Sequence, residues 1–203
     1  MTSLSKSVAG KSVDLYYDYG SPASYLAWTQ MPALCLKHGA ELVYKPILIG
    51  GIFKITGNVS PVTIGSKETW FFDDMARFAA RYGVPFVKNP YFIIHSLPLM
   101  RGALWAEREG RLEDFNRVMF EACWVKERNL NDPNEIKAVV KEGGFDPEAF
   151  EAALRSDDIK QALIKVTKEA VERGIFGVPT AFIGNEMHFG QDRLDWIEQA
   201  LAG

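Results

Sequence analysis

The stretch "YYDYGSPASYLAW", Tyr16–Trp28, runs aromatic and apolar up to a break at Gly20-Ser21-Pro22 and then resumes with helical spacing. Upstream, Val13–Tyr19 is rich in β-branched and aromatic residues and predicts a strand buried on both faces. Ser21 is an N-cap residue by type, and Pro22 stands at the first helical position, where a missing N–H costs nothing. The spacing predicts a helix through Tyr25, Leu26, Leu34 and Leu36 to a stop at Gly39, kinked at Pro32. Glu41–Ile49 alternates as a second strand, so the chain opens with one β-α-β unit. On these residues alone Ser21 either caps the helix or also faces a ligand.

From Gly50 to Gly174 the pattern changes. Lys67–Tyr82, Leu97–Glu109, Leu112–Glu127, Asn134–Glu142, Pro147–Leu154 and Asp158–Arg173 carry helical periodicity with charged outer faces. Gly83-Val84-Pro85, Lys88-Asn89-Pro90, Asp132-Pro133 and Gly143-Gly144 separate them as turns. The strand pattern returns at Thr180–Ile183, turns at Gly184-Asn185, continues over Met187–Phe189 and ends in a helix over Gln191–Leu201. The order β-α-β, many helices, β-β-α is an α/β thioredoxin-like fold with a large all-helical insertion. The expected boundaries are a disordered tail over 1–12, a thioredoxin-like domain over 13–50 and 175–203, and the inserted domain over 51–174.

Bulk properties narrow the function. The 203 residues suit one domain with a second grown out of a loop, and the net charge of −3 with 47% hydrophobic residues describes an ordinary globular protein. No basic stripe calls for nucleic acid and no apolar run for a membrane. Met1–Ser12 is small and polar, without the apolar segment of an export signal. Cys35 and Cys123 lie far apart and read as buried thiols in a reducing, cytoplasmic setting. His38, His95 and His188 have no ligand spacing, so no metal is expected, and there is no P-loop or dinucleotide fingerprint.

Three pieces, "DYGSPASYLAW", "GVPT" (Gly177–Thr180) and "FGQDRLDWIEQAL" (Phe189–Leu201), occur in order around the helical insertion. Together they resemble the DsbA-like family that contains the 2-hydroxychromene-2-carboxylate isomerases and the kappa-class glutathione transferases. Thioredoxin-type oxidoreductases carry C-x-x-C at the start of the first helix, where free N–H groups and the positive dipole end favour a thiolate. Here that stretch reads Ser21-Pro22-Ala23-Ser24, so disulfide exchange through a protein thiolate is excluded. The same helix end can still stabilise a thiolate on a ligand.

The resemblance implies glutathione as cofactor, with the Ser21 hydroxyl donating to its sulfur. It implies a cis Pro179 that exposes the main chain of Val178 to the cysteinyl part, and it assigns the γ-glutamyl end to Gln191 and Asp192. Asn58 and Lys67, in "TGNVSPVTIGSK", match the segment that holds the glycine carboxylate. The insertion would supply an aromatic wall for the second substrate, with Phe53, Trp70, Phe71, Tyr91 and Phe92 as candidates. In "NPYFIIHSLPLMRG" His95 stands where relatives often have the Asn of Pro-x-x-Asn. The implied activity is glutathione-dependent isomerisation of an aromatic carboxylate by a homodimer. The rival readings are a kappa-like transferase or peroxidase and a binding protein without chemistry.

Overall fold

The computed structural model describes residues 11–202 of the chain. The expected tail therefore lies outside the described residues except for its last two, and Ser12 already pairs with Glu41 as the first residue of a strand. Four strands, β1 (Ser12–Tyr17), β2 (Glu41–Pro46), β3 (Thr180–Ile183) and β4 (Glu186–Phe189), form one sheet in the order β2-β1-β3-β4. β1 is parallel to β2 and antiparallel to β3, and β3 is antiparallel to β4. Between β1 and β2 runs α1 (Pro22–Lys37), which continues through Pro32.

Between β2 and β3 the chain forms α2 (Ile49–Thr56), a 3₁₀ turn at Pro61–Thr63, α3 (Gly65–Tyr82), α4 (Leu97–Arg108), α5 (Leu112–Trp124), α6 (Pro133–Glu142), α7 (Pro147–Arg155) and α8 (Asp157–Glu172). The chain closes with α9 (Leu194–Ala202). None of the described helices is long and apolar enough to cross a membrane.

Two expectations about strand β1 need correction. It is not buried on both faces: Val13, Leu15 and Tyr17 are buried, whereas Asp14 and Tyr16 are half-covered. The physical reason is Arg173, just past α8, which shields that second face with a polar group. Its guanidinium donates to Asp14 Oδ2 at 2.6 Å and Tyr16 Oη at 2.9 Å and lies 3.8 Å from the Phe182 ring centroid. The strand also stops at Tyr17, because Asp18-Tyr19 turns into the loop that carries Ser21.

Val13 and Leu15 pack with Ala27, Met31 and Cys35 of α1 and Ile197 and Leu201 of α9. On the other side Phe182 meets Ile47, Ile52, Ala170 and Ile175. Tyr17 and Tyr19 instead enter the largest cluster, among Phe115, Phe120, Trp124 and the helices between β2 and β3. Burial pushes the Cys35 thiol up to about 11 and that of Cys123 well above the ordinary thiol value. Neither thiol is in a setting that makes a nucleophile.

Candidate functional site

Ser21 sits where the C-terminal end of β1 meets α1, and local chemistry fixes it there. Its extended backbone (φ −101°, ψ 115°) makes it the N-cap, and its Oγ accepts the Ser24 N–H at 3.1 Å. Its carbonyl accepts from Tyr25 N at 3.2 Å. Pro22 has no N–H, so Ala23 N–H is the first-turn amide left without a partner among the described residues. The Ser21 hydroxyl points its own proton at the Val178 carbonyl over 3.4 Å, a long bond that a better acceptor could replace. The Val178–Pro179 peptide is cis. Ser21 is thus a helix cap that still has a weakly engaged donor.

These residues open onto a cavity of about 890 Å³, the upper end of the range for small-molecule sites. Its wall takes Ser21 and, from the start of α1, Pro22 and Ala23, with Ile49, Gly50 and Phe53 from α2 and Trp70, Phe71, Asp74 and Met75 from α3. The Asn58–Thr63 loop, the Phe92–Leu97 segment, Gly177–Pro179 and Phe189–Asp192 also line it. The structure therefore brings Ser21, Asn58, Val178, Pro179, Gln191 and Asp192 to one cavity, with Phe53, Trp70, Phe71, Phe92 and His95 around them. Large apolar side chains stay exposed at its wall, with Val59 at 66%, Trp70 at 61% and Ile93 at 67%.

Two expected residues fall outside the wall. Lys67 lies on the same stripe of α3 as Trp70, Phe71 and Asp74 but one turn nearer the N-terminus, exposed and past the cavity. Tyr91 is also exposed, while its neighbour Phe92 packs on Phe72 and Trp124, with centroids 5.0 and 6.0 Å away.

The surroundings of the others are specific. Gln191 is buried, and Tyr82 of α3 donates to its Oε1 at 2.8 Å and its carbonyl at 3.0 Å. Burial pushes the Tyr82 phenol up to about 12, so it stays a donor. Asp192 is partly exposed and meets Arg193 at 2.9 Å. The expected helix start at Gln191 is displaced: α9 begins at Leu194, with the Arg193 carbonyl accepting from Trp196 and Ile197. Gln191 and Asp192 occupy the preceding turn instead of the first helical turn. Asn58 is engaged on both sides, donating to the Phe176 carbonyl at 2.9 Å and accepting from Val59 N at 2.8 Å.

Asp18 is the residue that sequence reasoning passed over. It is fully buried, and its carboxylate accepts from Gly20 N at 2.8 Å, Ile49 N at 2.9 Å and Ser96 Oγ at 2.9 Å. All three partners line the cavity. Burial raises its pKa above the ordinary carboxylate value, while those three hydrogen bonds oppose the shift. The available signal was an acid set between Tyr17 and Tyr19, directly before the Gly-Ser-Pro corner. Gly20 fits tightly beside it, since a Cβ there would stand 3.3 Å from both the Asp18 carboxylate and the Ile94 carbonyl, close enough that one of them would have to give. Among the described residues no three His, Cys, Asp or Glu side chains are grouped to hold a metal ion.

A thioredoxin sheet with a run of helices between its halves, a serine at the first-helix N-terminus and a cis proline opposite defines a class of site. The chain belongs to the family of the DSBA-like thioredoxin domain, which matches it over residues 12–202. It is 33% identical over 192 residues to a 2-hydroxychromene-2-carboxylate isomerase of Pseudomonas putida, covering 93% of each chain. It is 26% identical to the human glutathione S-transferase kappa 1, covering 94% of this chain and 91% of the relative. A solved structure of 2-hydroxychromene-2-carboxylate isomerase superposes with a TM-score of 0.84 at 31% identity, covering 94% of each chain.

Proposed function

We propose that the protein is a glutathione-dependent isomerase of the 2-hydroxychromene-2-carboxylate type, acting on an aromatic carboxylate catabolite. The observation that carries this reading is Ser21: a hydroxyl at a helix N-terminus, beside the cis Val178–Pro179 peptide, on a cavity with room for two small molecules. The residues fit glutathione, since a thiolate at Ser21 would meet the Ser21 hydroxyl, the Ala23 N–H and the positive end of α1. When bound, glutathione would supply a thiolate nucleophile for reversible addition to a conjugated substrate.

The chain's own residues do the rest. Ser21 Oγ exchanges its long bond to the Val178 carbonyl for a charge-assisted one to the sulfur. Val178 offers its main chain alongside. Asp192 meets the γ-glutamyl ammonium, trading part of its contact with Arg193, and Gln191, held by Tyr82, lies beside it. Asn58, on the cavity wall, would face the glycine carboxylate, with Lys67 one helical turn beyond the wall. Phe53, Trp70, Phe71 and Phe92 exclude water from the aromatic substrate.

Similarity to the kappa glutathione transferases supports a second reading, in which the same thiolate attacks an electrophile and a conjugate is released. Product analysis separates the two, because an isomerase returns all its glutathione and a transferase consumes one per turnover. Isomerisation that needs glutathione without consuming it is the expected result. As in the family resemblance, we place the helical domain at 51–174 and expect a homodimer, to be checked by light scattering.

A further inference from the structure

The cavity presents a polarity problem for an acidic substrate. No lysine or arginine lines it among the described residues, and its charged lining side chains are the carboxylates of Asp74 and Asp192. Several polar groups in the wall already have partners: Ser96 Oγ donates to Asp18, Thr63 Oγ1 to the Ser60 carbonyl and Asn58 Nδ2 to the Phe176 carbonyl. The His95 imidazole is different. It lines the cavity, is exposed, and makes no side-chain hydrogen bond among the described residues.

Its backbone, by contrast, is clamped. Asn131 Oδ1 accepts from His95 N at 2.7 Å, while Asn131 Nδ2 donates to the Tyr91 and Ile93 carbonyls at 2.8 and 3.1 Å. On the other side Ser96 is tied to Asp18, and a Cβ at Gly20 would lie 3.3 Å from the Ile94 carbonyl and 3.5 Å from Ser96 Cβ. The segment bearing His95 therefore packs directly against the Gly20-Ser21 corner. The imidazole therefore projects from a pinned backbone position with its ring N–H free to donate.

We propose that His95 determines specificity by reading the carboxylate of the second substrate, its ring N–H donating to the carboxylate oxygen while the aromatic part lies on Phe53, Trp70, Phe71 and Phe92. This rests on the isomerase reading for the acidic substrate. Histidine suits the task because its ring always keeps at least one N–H to donate, with added charge when protonated. Asn131 acts through it as a positioning residue.

The test uses naphthoate and its methyl ester as matched probes, titrated calorimetrically into the purified protein with and without saturating glutathione. His95→Ala should weaken naphthoate by about tenfold, the factor that ~1.4 kcal/mol of lost hydrogen bonding to a charged group sets. The ester, which has the same rings and no anion, should lose less than about twofold on that scale. His95→Gln, which retains an N–H donor, should recover part of the loss. An equal loss for acid and ester, or no loss for the acid, overturns the assignment. Failure of glutathione to bind would sink the isomerase reading, while the acid–ester contrast without glutathione would still decide the role of His95.

Discussion

Replacing Ser21 with Ala removes two things that can be measured apart. The first is the cap: Ser24 N loses its 3.1 Å acceptor, which should cost about 1 kcal/mol of stability. The second is the proton now aimed weakly at the Val178 carbonyl over 3.4 Å. If glutathione sulfur receives that proton, one hydrogen bond to a charged acceptor is lost, roughly 1.5–3 kcal/mol. At ~1.4 kcal/mol per unit, the thiol pKa in the complex should rise by about one to two units from a value held below the free thiol's ~8.5. The Ala23 amide and the dipole of α1 remain, so a residual depression should persist. The assay is an ultraviolet titration of the thiolate in the wild-type and variant complexes, paired with turnover and thermal melts. A melt lowered by the cap term alone, with pKa and turnover unchanged, would refute the reasoning and leave Ser21 a cap.

Asp18→Ala leaves the N–H groups of Gly20 and Ile49 without their buried acceptor and should cost a few kcal/mol, at ~1–3 kcal/mol per unsatisfied group, read by chemical denaturation. The sign of the pH dependence is also fixed. Burial raises the folded pKa of Asp18 above its unfolded value, so its contribution is full below the unfolded carboxylate pKa and is lost as pH rises through the folded one. Relative to Asp18→Asn, the wild type should therefore lose stability between acid and neutral pH; a flat difference would contradict the shift. Asp192→Ala should weaken glutathione by about 1.5–3 kcal/mol, towards the low end because Arg193 shares the carboxylate, as calorimetry would show. Thermal stability should hardly change, because α9 starts two residues later and Asp192 does not cap it.

What the sequence shows and hides has a physical pattern. The β1–α1 corner is legible because Gly-Ser-Pro encodes it locally, through an N-cap hydroxyl and a proline at the first helical position. Helices α3 to α8 are legible because their apolar stripes repeat at helical spacing. α2 is not: "IGGIFKIT" contains two glycines and continues an alternating run. Its start is organised from afar, with Thr167 Oγ1 accepting from Leu48 N at 3.1 Å and Asp18 Oδ2 accepting from Ile49 N at 2.9 Å. The same holds for the Tyr91–His95 segment, whose shape depends on Asn131 from another loop. Gln191 and Asp192 resemble a helical first turn in type, yet the chain needs them in the turn after Gly190, whose φ of +102° and whose missing Cβ, which would lie 2.6 Å from Asp192 Oδ1, bend it back. Side chains acting across long sequence separations leave no local pattern.

A crystal structure of the protein soaked with glutathione tests the central claim most directly. The account predicts the sulfur within hydrogen-bonding distance of Ser21 Oγ and facing the Ala23 N–H, the cysteinyl backbone beside Val178, and the γ-glutamyl ammonium on Asp192. Glutathione bound elsewhere, or a cavity still empty of it at saturating concentration, would contradict the account.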